Sequence, residues 1–186
     1  MKIFLLAATL FTSSLIAPTY AADYAIDDQG AHASINFKTS HMGWSILTGR
    51  FNTFNGTFSY DGKNIEASKI TVNIDTKSFD SNHAERDKHV RSADFLDASE
   101  FTTATFNSTK VEDKGDGKLA ITGDFTLHGI TKSLVINGKK VGEGDDPWGG
   151  YRLGFSGTTQ IAMKDFGFKM DFGSVDLELH IEGIRQ

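Results

Sequence analysis

Apolar and polar residues alternate over much of the chain, and this two-residue period constrains the fold more than any other feature. Successive side chains of a β-strand point to opposite faces, so the alternation predicts antiparallel strands with one buried face and one wet face. Long helical periodicity is missing after the N-terminal segment. The clearest alternating segments are residues 33–38, 70–75, 119–127, 151–161 and 175–182.

Three further segments show weaker strand patterns, and they bring the predicted total to eight strands. These segments are residues 49–60, 103–111 and 134–141. Phe51 and Phe58 fall on opposite parities, which predicts a bulge or bend near Asn55 and Gly56. Eight antiparallel strands with one apolar face pack as a sandwich or as a closed barrel. The count favours the barrel, whose interior at this size is filled by side chains or holds one small ligand.

One highly charged segment interrupts the strand patterns. Residues 82–96 predict a short helix from Asn82 to about Arg91, followed by one more turn. Asp80 or Ser81 could act as its N-cap, and Glu85 stands where a capping-box acid would lie for an N-cap at Asn82.

The N-terminus predicts a secretory signal peptide. Lys2 provides a positive start, a mostly apolar stretch follows, and Thr19 and Ala21 place small residues at the −3 and −1 positions of a cleavage site. We therefore expect residues 1–21 to be removed, and residues 22–186 to form one domain in the periplasm. The chain contains no cysteine, so this exported domain holds no disulfide.

Charge and composition exclude several classes of partner and chemistry. Without Lys2 the mature chain has 18 bases against 24 acids, so it is a poor candidate for binding nucleic acid or anionic headgroups. No other segment is apolar enough for stable membrane insertion. The six histidines show no i,i+4 pair on the helix, and neither a Gly-x-Ser-x-Gly elbow nor a phosphate-binding loop is present. We expect no metal, no cofactor and no catalytic residues.

The charged helix has two interpretations. It is either a solvated face with i,i+4 ion pairs, or a rim that presents Arg86, Asp87 and His89 to the polar end of a ligand. His41 could join this rim, because it continues the inward parity of Ile35 and Phe37.

The inward parity of the strands also predicts the interior. Fifteen phenylalanines suit either a packed core or a hydrocarbon-lined tunnel, and periodicity alone does not separate the two. The residues predicted to point inward and to contact a ligand are Ile35, Phe37, Ile70, Val72, Ile74, Phe106, Phe125, Leu127, Phe155, Ile161, Leu177 and Leu179.

Several motifs together resemble the YceI-like family of exported lipid-binding proteins. The hallmark is the segment 83–96, and the likeness continues in order through residues 22–24, 123–127 with 129 and 131–132, 144–150, and 164–166. The resemblance implies a lipocalin-like eight-stranded antiparallel barrel with a long apolar tunnel. Gly43 and Trp44 lack the Gly-x-Trp spacing of true lipocalins, so that likeness is architectural.

The resemblance also implies a ligand. Family members are implied to bind polyisoprenoids, isoprenoid quinones or related long-chain amphiphiles. We therefore expect a non-enzymatic periplasmic carrier whose partner is a long-chain isoprenoid or fatty lipid, with a homodimer left open. The alternative is an enzyme that modifies such a lipid with Arg86, Asp87 and His89.

Overall fold

The computed structural model describes residues 21–30, 32–169 and 173–186, which form one antiparallel sheet of eleven strands and one α-helix. The predicted signal peptide lies, except for Ala21, outside these residues. The strands are β1 (Ala22–Ile26), β2 (Ser34–His41), β3 (Ser45–Phe51), β4 (Phe54–Tyr60), β5 (Lys69–Asp75), β6 (Phe79–Asp80), β7 (Thr103–Asp113), β8 (Lys118–Leu127), β9 (Ile130–Asp145), β10 (Tyr151–Ala162) and β11 (Ser174–Arg185). The helix α1 spans Ala84–Val90.

The sheet closes on itself as an eight-stranded antiparallel barrel. The ring runs β1-β4-β5-β7-β8-β9-β10-β11, and β11 pairs again with β1 through Tyr24↔Arg185 and Ile26↔Gly183. Because the ring is closed, the sandwich alternative is excluded and the predicted barrel is confirmed. No helix among the described residues is long and apolar enough to span a membrane.

Three of the eight strand positions around the barrel are each occupied by two consecutive strands with an interruption between them. β1 and β2 both pair with β11, at its C-terminal and N-terminal halves respectively. β3 pairs with β2, and β4 pairs with β1. β1 with β2, and β3 with β4, therefore act as two interrupted strands of the barrel, and their interruptions lie side by side. The two-residue β6 extends β5 beyond a 3-10 turn and pairs with the end of β3.

The predicted bulge near Asn55 and Gly56 is wrong in position. β4 pairs with β5 without interruption from Phe54↔Ile74 to Ser59↔Lys69. The irregularity lies earlier, at Asn52 and Thr53, where the chain leaves β3. Backbone bonds from Asn52 N to Ser78 O, and from Asp75 N to Thr53 O, hold this bend. The break absorbs the change of parity between Phe51 and Phe58.

The helix begins later than predicted. Its N-cap is His83, whose Nδ1 accepts a hydrogen bond from Arg86 N at 3.2 Å, so the expected caps at Asp80, Ser81 or Asn82 are wrong. Asp80 instead accepts from Asn82 N at 2.8 Å, in a turn where Asn82 has a φ of +59°. Asparagine tolerates this left-handed conformation better than most residues, which is why the chain turns here before the helix starts.

Aromatic side chains fill the end of the barrel where β8 and β10 finish. Phe125 meets Phe166 at 5.6 Å between ring centroids, and Phe166 and Phe168 are both buried in the main core. His128 lies in the two-residue turn between β8 and β9. Its ring stacks on Phe168 with 5.0 Å between ring centroids, and its Nδ1 donates a hydrogen bond to the carbonyl oxygen of Phe166 at 3.1 Å. We call Phe101, His128, Phe166 and Phe168 the aromatic plug.

Candidate ligand-binding cavity

An elongated apolar cavity runs inside the barrel. All eight strands of the ring supply wall residues, because each strand turns every second side chain inward. The wall residues are Ile26, Ile35, Phe58, Ser59, Tyr60, Ser68, Ile70, Val72, Ile74, Phe106, Val111, Leu119, Ile121, Phe125, Leu134, Ile136, Gly138, Phe155, Ser156, Gly157, Thr159, Leu177, Leu179 and Ile181. Among the described residues of this wall, none carries a charge.

The cavity follows the direction of the strands, because its wall along β5 extends from Ser68 to Ile74. About 1040 Å³ of empty space lies between its walls, with the open mouth included. Many wall side chains, such as Ile136 and Leu179, are therefore only partly buried although they point into the barrel. A tube of this shape fits a flexible hydrocarbon chain better than a compact polar molecule.

Nine of the residues predicted to contact a ligand line this cavity. They are Ile35, Ile70, Val72, Ile74, Phe106, Phe125, Phe155, Leu177 and Leu179. Their contact with a ligand stays a prediction, but their inward parity agrees with their place in the wall.

Three other predicted residues are buried without being part of the wall. Leu127 and Ile161 belong to the packed core at the plugged end of the barrel. Phe37 stacks on Phe79 with 4.9 Å between ring centroids, and it also contacts Phe51 at 6.4 Å. The cavity ends before these positions because aromatic and aliphatic side chains fill the space there.

Several wall residues were missed by the sequence analysis although their parity marks them. Ile181 continues the inward series of Leu177 and Leu179, and Ile121 shares the parity of Phe125. Phe58 stacks on the fully buried Tyr24 with ring centroids 4.9 Å apart and also meets Phe155 at 5.8 Å. Strand parity alone identifies Ile181 and Ile121 as inward-facing. For Phe58 it does so only once the interruption between β3 and β4 is known.

Arg86 and Asp87 brace a turn and do not line the cavity. Asp87 is only 6% exposed, and its Oδ1 accepts hydrogen bonds from Ser81 N at 3.0 Å and from Ser81 Oγ. Arg86 donates from Nε to Ser81 Oγ at 2.7 Å and from an Nη to Ser81 O at 2.6 Å. Both side chains thus hold Ser81 in front of the helix.

The two histidines of the predicted rim also lie away from the wall. His89 is exposed, with Nε2 3.7 Å from Asp94 Oδ2 and its ring edge against Phe95. His41 is exposed at the end of β2, where its ring meets Trp44 at 6.1 Å. The structure therefore does not bring Arg86, Asp87, His89 and His41 together around the cavity.

The strongest electrostatic cluster surrounds Arg152 on β10. Its guanidinium donates to Asp27 at 2.5 Å, to Glu182 at 2.6 Å and to Asp146 at 2.9 Å. The bond from Arg152, with further bonds from Gly30 and His32, holds the pKa of the Asp27 carboxyl below its usual value against the opposing effect of burial. The Gly150 amide, followed by Arg152, lowers the pKa of Asp146 in the same way.

This cluster contains the group of side chains best placed to hold a metal ion. Oxygen and nitrogen atoms of Asp27, His32 and Glu182 lie within 4.8 Å of one another. The Arg152 guanidinium already supplies the positive charge that two of these carboxylates require. The arrangement is thus a salt-bridge network that ties the end of β1 to β10 and β11.

The fold and the cavity define the class of the protein: a closed eight-stranded β-barrel built around an apolar channel. A family model described as the YceI-like domain matches residues 24–183. The chain belongs to the YceI-like family.

Relatives and solved structures agree with this assignment. A "UPF0312 protein" of Shewanella sp. (strain ANA-3) is 60% identical, with 97% of this chain and 98% of the relative covered. BcnA of Burkholderia cenocepacia superposes with a TM-score of 0.77 at 20% identity, over 84% of this chain and 98% of its own. A polyisoprenoid binding domain from Saccharophagus degradans, implicated in plant cell wall breakdown, gives 0.66 at 14% identity, over 90% and 100%.

Proposed function

We propose that this protein is a periplasmic carrier that holds a long-chain isoprenoid, such as an isoprenoid quinone, or a similar amphiphilic lipid inside the barrel. The observation that carries the proposal is the cavity inside the barrel, whose described wall is almost entirely hydrocarbon. The structural likeness to a polyisoprenoid binding domain supports the same class of ligand.

Energetics favour a carrier over a permanent store. Burying one methylene is worth about 0.8 kcal/mol relative to water, so a chain of ~20 carbons gains on the order of 16 kcal/mol gross. Association and ordering cost roughly 4–15 kcal/mol. A bilayer hides the same hydrocarbon, so the net driving force from membrane to barrel is small. Loading and unloading are therefore reversible.

The enzymatic alternative receives no support from the geometry. Arg86 and Asp87 form hydrogen bonds with Ser81, and neither side chain lines the cavity. His89 is exposed beside Asp94. Incubating the purified protein with its own extracted lipid distinguishes the classes, since a carrier returns the lipid unchanged and an enzyme yields a new product.

The periplasmic location rests on the N-terminal segment. The positive start, the apolar stretch and the small residues before Ala22 are typical of a cleaved secretory signal. Intact mass of the protein isolated from a periplasmic extract of its native host tests this. We expect a mass that starts at Ala22, whereas a mass that retains residues 1–21, or protein found only in the cytoplasm, contradicts the proposal.

Lipid binding is tested on neighbouring residues of β9. Ile136 lines the cavity, whereas Val135 points outward and is 46% exposed. Ile136→Glu introduces a carboxylate into hydrocarbon, which is heavily penalised, and we expect the purified variant to lose its lipid. Val135→Glu adds the same charge on the outside and should retain it.

Native mass spectrometry followed by organic extraction measures the bound lipid of both variants and the wild type. Circular dichroism confirms that each variant is folded. Wild-type protein that purifies without lipid, and that takes up no isoprenoid quinone from phosphatidylcholine vesicles, overturns the proposed function. A folded Ile136→Glu variant with undiminished lipid shows that the binding site lies elsewhere.

A further inference from the structure

One fully buried hydroxyl group of the cavity wall has no hydrogen-bond partner. Ser68 is only 6% exposed, and its Oγ is the one buried side-chain polar atom without a partner among the described residues. A buried unpaired hydroxyl is costly, so native structures seldom contain one without a reason. Ser68 also lines the apolar cavity.

The position of Ser68 is fixed by its backbone. It follows a 3-10 turn, where its N–H donates to Ile65 O at 3.0 Å, and it stands directly before β5. β5 runs from this point towards the helix and the plugged end of the barrel. Ser68 therefore lies at the opposite end of the cavity from Ile74 and Phe125.

Two other hydroxyls of the wall are already engaged. Ser59 Oγ accepts a hydrogen bond from Lys69 N at 3.1 Å, and Thr159 Oγ1 donates to Val135 O at 2.8 Å. Ser68 Oγ differs because both its donor and its acceptor capacity are free. Its Oγ is fully buried in the conformation described, so contact with a ligand requires a change between staggered χ1 rotamers.

We propose that the Ser68 hydroxyl hydrogen-bonds an uncharged, oxygen-bearing head group, such as a quinone carbonyl or an isoprenoid alcohol, inside the cavity. The inference rests on the proposed lipid-binding function and specifies its ligand. No described wall residue carries a charge. Lys140, whose Nζ lies 5.4 Å from the ring of the wall residue Tyr60, is already paired with Glu143, so a phosphate or carboxylate head would lack a free counter-charge and would be heavily penalised. The head then lies beside Ser68, and the tail extends towards the plugged end.

The test compares two ligands that differ only in the head. One is a benzoquinone with an isoprenoid side chain, and the other is an isoprenoid hydrocarbon of equal length without oxygen. Ser68→Ala should weaken quinone binding about three- to tenfold, the range that corresponds to one net hydrogen bond. Binding of the hydrocarbon should stay within about twofold, because the tail contacts are unchanged.

Ser108→Ala is the matched control. Ser108 is not part of the cavity wall, and its hydroxyl accepts a hydrogen bond from Ile70 N at 2.9 Å, two residues from Ser68. We expect this variant to leave the ratio of quinone to hydrocarbon affinity unchanged. The role of Ser68 is overturned if Ser68→Ala weakens the binding of both ligands equally, or if it leaves the affinity for the quinone unchanged.

A spectroscopic measurement on the wild type needs no variant. A hydrogen bond lowers the infrared stretching frequency of a quinone carbonyl, so the bound quinone should show one shifted carbonyl band that Ser68→Ala abolishes. Bound quinone with two unshifted bands contradicts the inference. If the wild type binds neither ligand, the proposed function itself fails, whereas binding without the shift removes only the inference about Ser68.

Discussion

Arg152 of β10 donates a hydrogen bond to Asp27, the residue that directly follows β1, across 125 positions of sequence. Asp27 is 5% exposed and Arg152 is about one-fifth exposed, so the pair is shielded from water. The contact lies where β1 ends, in the connection that leads to β2. It therefore stabilises the position of β1, whose pairing with β11 closes the barrel.

This pair predicts how stability depends on acid. The bond from Arg152 lowers the folded-state pKa of Asp27 below 3.8, the value of a free carboxyl. A depressed pKa stabilises the fold above the unfolded value, and that contribution is lost as pH falls through the folded pKa. We expect the free energy of unfolding to be steady down to about pH 5 and to fall below about pH 4, as urea unfolding measures.

Asp27→Asn should remove part of this acid dependence. At pH 7 the variant should be less stable by about 1–3 kcal/mol, because Arg152 loses a charged partner. Asp176→Asn is the control. Its contact with Lys38 is 3.8 Å long and exposed, and an asparagine oxygen can still accept the exposed hydrogen bond from Gln160 Nε2. That change should stay within about 0.5 kcal/mol. A wild type and an Asp27→Asn variant with identical pH profiles would refute the assignment.

His128→Ala should loosen the aromatic plug. The ring of His128 bonds the Phe166 carbonyl at 3.1 Å, stacks on Phe168 and meets Phe101 edge-on at 4.5 Å. Losing these contacts should lower the free energy of unfolding by about 1–3 kcal/mol, measured in urea. Within the described part of the chain, the exposed His180 has a hydrogen bond with Glu178 alone, so His180→Ala should change the free energy of unfolding little. Equal effects in the two variants would show that the plug contributes nothing.

Arg86→Ala should affect stability and leave the lipid unchanged. Arg86 holds Ser81 through two hydrogen bonds, so we expect a loss of about 1–3 kcal/mol in the free energy of unfolding. If the charged helix is instead a rim around the ligand, the variant should select a different head group. Comparing lipids extracted from the wild type, Arg86→Ala and the control Lys88→Ala decides between these outcomes.

Leu134→Trp should narrow the channel. Leu134 lines the cavity, and an added indole ring would take up part of the empty space between its walls. We expect the purified variant to carry less lipid, or lipid with shorter chains, when extracts are analysed by mass spectrometry. Val135→Trp, on the outer face of β9, should carry the wild-type profile. An unchanged profile in folded Leu134→Trp would mean that the ligand does not pass this point.

The alternation of apolar and polar residues was sufficient to predict strands and their buried faces. The alternation through Ile70, Val72 and Ile74 identified β5 and its inward face, and both were confirmed. Periodicity could not separate Ile35, which lines the cavity, from Leu127, which is in packed core, because both positions show the same inward parity. That distinction depends on whether aromatic residues from distant loops fill the space.

Polar contacts were less predictable than the strands. The charges at Arg86 and Asp87 were visible in the sequence, but their common partner Ser81 follows from the path of a turn in which Asn82 has positive φ. The salt-bridge network around Arg152 joins residues from three distant segments of the chain, so no local sequence pattern predicts it. The same is true of the unpaired hydroxyl of Ser68, which only a three-dimensional account of hydrogen bonds can reveal.

The empty space of the cavity has a mechanical consequence. Hydrostatic pressure favours states of smaller volume, and the volume lost on unfolding scales with the internal voids that unfolding eliminates. Space within the barrel that no side chain fills therefore makes the fold compressible, and a chain threaded along Leu134, Ile136 and Leu179 would stiffen it by filling that space. Pressure-induced unfolding thus distinguishes a loaded barrel from an unloaded one without any label on the lipid.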